Sequence, residues 1–438
     1  MLNRFLFKKI DNAPLIVFRV AFGLLIFLES IGAIFTGWVR RTLIAPDFTF
    51  NFIGFDFLQP LPGNWMYAYF ALMGLFGFLV MIGYKYRWSL AGFTVMWTCV
   101  YLMQKASYNN HYYLLILLCL LMLVQPANRY LSVDVRQHPD KKAIAMPQWC
   151  SLLMILQVWI VYTYAAIAKL YPDWLDVTVV ENLMAGKRNY PVIGALLQTH
   201  VMHISIAYFG ILFDLLVVPM LLWRPTRKLA FFASIFFHLF NSVVFQIGIF
   251  PYMSLAFILF FFEPETIRTM FLRKKPLYTK NEVEIPGNRR LILGVGIVYF
   301  AVQIALPLRH WFIKDNVLWT EEAHRMSWRM MLRTKYGHIT FKVVDKNTGA
   351  THIVNPRKRL SVKQKGIIAT HPDVIWQFVQ RLKREYKEKG QEVAIYVTGK
   401  MSVNGRKLKP FIDPDVDLAG EKWHYVKHHE WILPSELH

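Results

Sequence analysis

Nine apolar runs fill the first 308 residues, at roughly 14–37, 64–83, 89–104, 111–125, 148–170, 203–223, 229–246, 248–262 and 291–308. A helix needs about 20 such residues to cross a hydrocarbon core. The seventh and eighth runs are short and meet at Ile247-Gly248-Ile249-Phe250-Pro251, so they form either a tight hairpin or one interrupted element. After residue 308 the period changes. Alternation over His338–Val344 and Thr351–Val354 brackets the turn Asp345-Lys346-Asn347-Thr348-Gly349, a hairpin pattern. Val374–Lys389 repeats at helical spacing and ends at Gly390, a C-cap residue. Val393–Val397 and Leu408–Ile412 flank a second turn containing Asn404-Gly405. The expected fold is an α-helical polytopic membrane protein of about nine transmembrane helices (residues 1–308), followed by a C-terminal extramembrane α+β domain (residues 309–438).

Composition supports the membrane assignment. Hydrophobic residues make up 55% of the 438 and charged residues 18%, against about 25% charged in soluble domains. Mean hydropathy is +0.31. Disordered, collagenous and disulfide-scaffold classes are excluded. The net charge of +22 points to nucleic acid in a soluble protein. In a membrane protein it first serves to hold loops inside, and no nucleic-acid partner is expected. With the N-terminus inside, the inner segments carry 19 Lys and Arg and the outer segments 5, alternating at every loop. This places the N-terminus in the cytoplasm and the C-terminal domain on the extracytoplasmic side, in a bacterial plasma membrane or, in a eukaryote, the endoplasmic reticulum. The first run follows Arg4, Lys8 and Lys9, exceeds a secretory h-region in length and is expected to be retained. Cys99, Cys119 and Cys150 lie in or beside apolar runs without C-x-x-C spacing, and are expected to be inert thiols.

Few ionisable groups lie at membrane depth, where they are expensive. They are Arg19, Glu29, Lys169, Asp214 and His238, with His111 at a boundary. Arg19, Glu29 and Asp214 read as structural partners of other helices. Lys169 ends the fifth run after Ala165, Ala166 and Ala168. It is either an amine reaching the interface or a desolvated amine able to act as a base. His238, Asn241 and Ser242 share one helix face. Under the topology above, His111 starts the fourth run at the outer surface and Lys169 ends the fifth run there. His238 and Asn241 sit in the outer half of the seventh. Amine, imidazole and amide groups thus converge at one depth, on the side of the C-terminal domain. No metal, phosphate-loop or serine-nucleophile motif occurs, and no metal is expected.

These segments resemble the vitamin K-dependent γ-glutamyl carboxylase family and its bacterial relatives, the HTTM-domain proteins, over most of the chain. The best match is Lys105-x-Ser107-x-Asn109-Asn110-His111-x-Tyr113. Others are Phe18-Arg19, Pro60-Leu61-Pro62, Ala127-Asn128-x-Tyr130-x-Ser132-Val133-Asp134 and Lys169-Leu170-x-x-Asp173-Trp174. His238-x-x-Asn241-Ser242, Ser327-Trp328-x-Met330-Met331 and Asp413-Pro414-x-Val416-Asp417 complete the set. The resemblance implies an integral-membrane lyase that oxidises a vitamin K-type hydroquinone (phylloquinone or menaquinone) with O2 to the epoxide. The oxidation drives γ-proton removal from protein glutamate, to which CO2 then adds. It implies Lys169 as the base towards the quinol and His111, with Asn110, as donors to the quinol-derived oxyanion. Asn109, His238, Asn241, Ser242 and Trp328 become candidate substrate- or cofactor-binding residues. The implied partners are the bilayer, a lipid quinone and glutamate-containing secreted or periplasmic proteins.

Two positions depart from the animal enzymes. Ala168 replaces the first of two adjacent lysines, which leaves Lys169 as the candidate. The stretch between Trp319 and Trp328 reads Glu321-Glu322-Ala323-His324-Arg325-Met326, without the family's tyrosines. Two alternatives therefore stand beside the carboxylase: a quinol epoxidase acting without glutamate carboxylation, and a non-enzymatic transporter or scaffold. The aromatic segment Phe48–Phe57 reads as either a lipid access wall or an interfacial belt.

Overall fold

A computed structural model describes residues 1–435. Each of the nine apolar runs contains a helix: α1 (Ala13–Phe35), α2 (Trp65–Ile82), α3 (Tyr86–Met103), α4 (Asn110–Leu123), α5 (Trp149–Ala168), α6 (His200–Leu222), α7 (Arg224–Phe245), α8 (Phe250–Phe257) and α9 (Arg289–Leu308). Six of them, α1, α2, α5, α6, α7 and α9, are long and apolar enough to cross a membrane. The chain is thus a multi-pass membrane protein. Helices α4 and α8 are apolar but short, and α3 dilutes its 18 residues with Arg87, Ser89, Thr94 and Thr98.

Small residues set the closest helix contact. A Cβ on Gly77 of α2 would stand 2.7 Å from the backbone nitrogen of Phe27 on α1, and one on Gly74 would stand 2.6 Å from the Ile31 side chain. Without side chains at these points the backbones approach, and dispersion replaces the absent hydrophobic drive. Arg19 is fully buried and donates to the carbonyls of Ala127 and Leu131, tying α1 to the loop after α4. Glu29 pairs with Tyr112. Between α7 and α8, Gln246 and Gly248 adopt left-handed backbone conformations (φ +52° and +64°). The two helices pack together, which settles the ambiguity at 247–251 as a tight hairpin.

The C-terminal region carries a four-stranded antiparallel sheet in the order β4-β3-β5-β6, while β1 (Lys9–Asp11) and β2 (Ala145–Pro147) form a small separate sheet. Here β3 is Lys335–Asp345, β4 Thr351–Val354, β5 Val393–Val403 and β6 Lys409–Ile412. Both expected hairpins form, with Phe341 opposite Val354 and Met401 opposite Lys409. Asn404 and Gly405 turn the second with positive φ (55° and 79°), the geometry that Asn-Gly supplies cheaply. Strand β5 runs six residues past its expected end because all of β3 pairs with it. Helix α10 (Pro372–Glu388) buries Val374, Ile375, Phe378, Val379 and Leu382 on the sheet.

This region sits directly on the helical unit. Phe48 stacks on Phe378 at 6.3 Å, and Arg381 lies 4.0 Å over the Phe48 ring. Gln364 and Gln377 donate to the carbonyls of Phe48 and Asn51 at 2.7 and 3.0 Å. Phe48 and Phe50 are buried in the core of the C-terminal region. They are docking residues rather than a lipid access wall or interfacial belt, because α10 covers them.

Candidate active site

A cavity of about 320 Å³ lies where the ends of α4, α5 and α7 and the middle of α6 meet the C-terminal region. Its membrane-side wall is apolar, with Leu183, Ile206, Phe237, Phe245, Ile247 and Phe250. Lys169, His111, Asn110, Asn109 and Asn241 all line it. Five residues singled out in the sequence, from three separate helices and their caps, therefore share one space.

Lys169 caps α5, whose last turn is stripped to Ala165, Ala166 and Ala168. The amine donates to Ala165 O at 3.3 Å and pairs with Asp214 of α6. Both side chains are nearly buried, at 10% and 5% exposure. Asp214, read from the sequence as a structural partner, is thus part of the cavity wall. The Trp174 ring lies 5.6 Å from the amine and limits water on that side.

Asn110 opens α4. Its Oδ1 accepts from the Tyr108 hydroxyl at 2.8 Å and its Nδ2 donates to Arg329 O at 3.1 Å. One amide hydrogen is left for a ligand. His111 follows and hydrogen-bonds to nothing among the described residues. It rests edge-on against Tyr112 at 4.6 Å and tilted against Phe250 at 6.1 Å. The α7–α8 turn approaches it closely: a Cβ on Gly248 would lie 3.8 Å from His111 Nε2.

The remaining candidates are placed differently. His238 stands behind the wall and reaches the cavity through Tyr162, with Nε2 2.8 Å from the hydroxyl. Its Nδ1 is buried without a partner among the described residues. Ser242 is 3.1 Å from the Tyr252 hydroxyl, away from the cavity. Trp328 is buried against Tyr113, with ring centroids 5.2 Å apart, and does not line the cavity.

Sequence reasoning missed the cationic roof. Lys105, Arg325, Arg329 and Arg333 line the cavity beside Glu321, His324 and His371. Lys105 and Arg325 both pair with Asp373, at 2.5 and 2.7 Å. Burial pushes the Lys105 amine down to about 8 despite the Asp373 charge. For the Asp373 carboxyl, the charges of Arg325 and Lys105 overcome burial and hold it below the ordinary range. Glu321 accepts from Arg333 at 2.6 and 2.5 Å and pairs with Lys335 at 2.6 Å. Burial alone would raise that carboxyl, but the two cations hold it well below its usual value. Burial pushes His371 down to about 3, so it is neutral near pH 7. Charged residues in a polar extramembrane segment carry no sequence signal of this kind, since such residues are ordinarily solvated.

The roof also divides two spaces. A second cavity, of about 530 Å³, lies between Phe52, Phe55, Trp423 and Tyr425, and shares Lys105, Glu321 and Arg325 with the first. The roof segment is conformationally constrained: Glu321, Ala323, Met326, Trp328 and Met331 all have φ between 54° and 60°. Left-handed non-glycine residues cost energy and gather where a constellation must be held. Among the described residues, no group of three or more His, Cys, Asp and Glu side chains could hold a metal.

These features define a multi-pass membrane protein whose C-terminal region closes over an amine–imidazole pocket at the helix ends. Its sequence matches the HTTM domain over residues 7–265 and the lumenal domain of vitamin K-dependent gamma-carboxylase over residues 288–438. The chain belongs to this HTTM-domain, vitamin K-dependent gamma-carboxylase family. No solved structure matches it.

Proposed function

We propose that this protein oxidises a vitamin K-type hydroquinone with O2 to the epoxide and uses that oxidation to carboxylate protein glutamate with CO2. The observation that carries the reading is Lys169, paired with Asp214, lining the same apolar-walled cavity as His111 and Asn110. The donor set suits a lipid quinol: an apolar wall for the ring, an amine–carboxylate pair for a hydroxyl proton, and an imidazole and an amide hydrogen free of internal partners. When bound, the hydroquinone supplies electrons for O2 and, once oxygenated, a base strong enough for a glutamate γ-proton.

The chain's own residues then have separable tasks. Lys169, held against Asp214, is the group that accepts the hydroxyl proton. His111 and Asn110 donate to the negative charge developing on the bound oxygen, an interaction strengthened by the exclusion of water. Tyr162, held by His238, adds a hydroxyl to the wall. The second cavity, behind Lys105 and Arg325, is the route by which a polypeptide presents its side chain.

The proposal includes residues 1–308 as the catalytic unit and 309–438 as the extracytoplasmic domain, nine crossings including the short helices, and a cytoplasmic N-terminus. The 19-to-5 distribution of Lys and Arg supports this orientation. A plasma-membrane location follows for a bacterial cell. Epoxidation without carboxylation is the second reading, favoured by the commitment of Arg333 and Lys335 to Glu321. Detergent-purified protein given reduced menaquinone or phylloquinone, O2, labelled bicarbonate and a glutamate-rich peptide separates them. Epoxide with labelled peptide supports the proposal, and epoxide alone supports the second reading. Absence of both products refutes both.

A further inference from the structure

Five cationic side chains line the main cavity: Lys105, Lys169, Arg325, Arg329 and Arg333. Four are matched by internal carboxylates. Lys169 has Asp214, Lys105 and Arg325 share Asp373, and Arg333 is held by Glu321. Arg329 has no carboxylate within ion-pair distance among the described residues. Its Nη1 lies 3.3 Å from His310 Nε2, and its Nε is buried without any partner. The His310 Nδ1 is 2.7 Å from Pro307 O. Nδ1 therefore carries the proton, and Nε2 accepts from Arg329 as part of a neutral ring. The residue as a whole is about nine-tenths buried, at 9% exposure.

We propose that Arg329 is the seat for the carboxylate of an acidic substrate side chain, while Glu321 withholds the neighbouring Arg333 and Lys335 from that role. This deepens the carboxylase reading and rests on it. A buried guanidinium without a counter-ion is costly, and an incoming carboxylate would offset that cost. Its planar fork matches a carboxylate through paired hydrogen bonds. Burial, reinforced by the charge of Arg333, lowers Arg329 to about 10, so it still carries its charge near neutrality. The seat is built into the reacting end of the cavity, because Arg329 O accepts from Asn110. The left-handed residues Trp328 and Met331 on either side hold the segment in place. Arg329 also stands between this cavity and a third one beside Tyr171 and Trp311. Glu321 acts as a resident competitor: a second carboxylate must displace it before it can reach Arg333 or Lys335.

The test is binding of a fluorescent glutamate-containing pentapeptide and its glutamine counterpart to quinol-free protein in detergent, read by anisotropy. Wild type should prefer glutamate by about ten- to a hundredfold, the range expected of a charge-assisted hydrogen bond. Arg329→Gln should erase the preference and Arg329→Lys should keep part of it. Glu321→Gln, which frees Arg333 and Lys335, should tighten glutamate binding. Thermal unfolding of each variant reports folding. Should Arg329→Gln fail to fold, the Lys and Glu321→Gln variants decide the matter. Retained full preference in Arg329→Gln, or no glutamate tightening in Glu321→Gln, overturns the proposal. Epoxide assays on wild type keep the two ideas distinct. Active epoxidation with no role for Arg329 sinks the seat alone, whereas no epoxide sinks the underlying function.

Discussion

Lys169 at the end of α5 pairs with Asp214 in the middle of α6, 45 positions along the chain, with both side chains nearly out of solvent. The amine, which the sequence left as either reaching the interface or desolvated, is instead half of a buried amine–carboxylate pair. A buried amine next to a carboxylate has a local place to hold or receive a proton. A lone amine must exchange with bulk water through an apolar wall.

Lys169→Ala should abolish epoxide formation in a protein that still purifies as a folded monodisperse species. Asp214→Asn should keep the amine yet lower the epoxidation rate by about a hundredfold or more, the usual scale for removing an acid–base partner. Product quantification from reduced menaquinone checks both. Normal epoxide output from Lys169→Ala would remove it as the base.

His111→Ala and Asn110→Ala should each lower kcat by about 10²–10³, the typical effect of removing one oxyanion donor. KM for the quinol should change far less, because these donors act on charge that develops during reaction. Steady-state kinetics with quinol varied at saturating O2 makes the comparison. A KM effect without a kcat effect would assign them to ground-state binding.

Gly210 lies on α6 in the cavity wall, and a Cβ there would meet nothing within 4 Å. Gly210→Leu should therefore fold normally while filling part of the apolar space. It should raise KM for the quinol several-fold, with little change in unfolding temperature. Unaltered quinol kinetics would mean that the ring binds elsewhere.

Asp373 is the shared counter-ion of Lys105 and Arg325, so Asp373→Asn leaves two buried cations unmatched. Breaking such a pair costs about 3–5 kcal/mol, which should appear as a clear drop in unfolding temperature. The pH dependence has a definite sign. The folded carboxyl is held below its ordinary value of 3.8, so its contribution is fully present above that pH. It is lost as pH falls through the lower, folded value. Wild type should lose stability on acidification below about pH 4, and Asp373→Asn should lose less. Equal acid sensitivity in both proteins would assign the effect to other carboxylates.

Much of the site was legible because charge is rare inside apolar runs. Lys169 and His111 stood out for that reason, and both line the cavity. His238, Asn241 and Ser242 share a helix face by spacing but do not share the cavity. Consecutive helical residues point about 100° apart, so Asn241 turns into the cavity while Ser242 turns out towards Tyr252. His238, set back from both, reaches the cavity through Tyr162. Trp328 matched a family motif, but it packs on Tyr113 behind the wall. The roof was not legible at all: Arg325, Arg329 and Arg333 look like any solvated basic stretch until α10 and β3 bury them. Helices α4 and α8 form where their apolar runs lie, but 14 and 8 residues fall short of a full span.

The order of apolar runs, the two hairpin turns and the isolated amine and imidazole are properties of the chain alone. Hydrophobic periodicity and turn chemistry act between near neighbours, so local order is enough to express them. Which charge faces which was decided by tertiary packing. Asp214 reaches Lys169, Glu321 fills the space between Arg333 and Lys335, and Arg329 is left without a carboxylate among the described residues only once distant segments share a volume closed to water. Coulombic pairing depends on distance and dielectric, and neither is a function of position along the sequence.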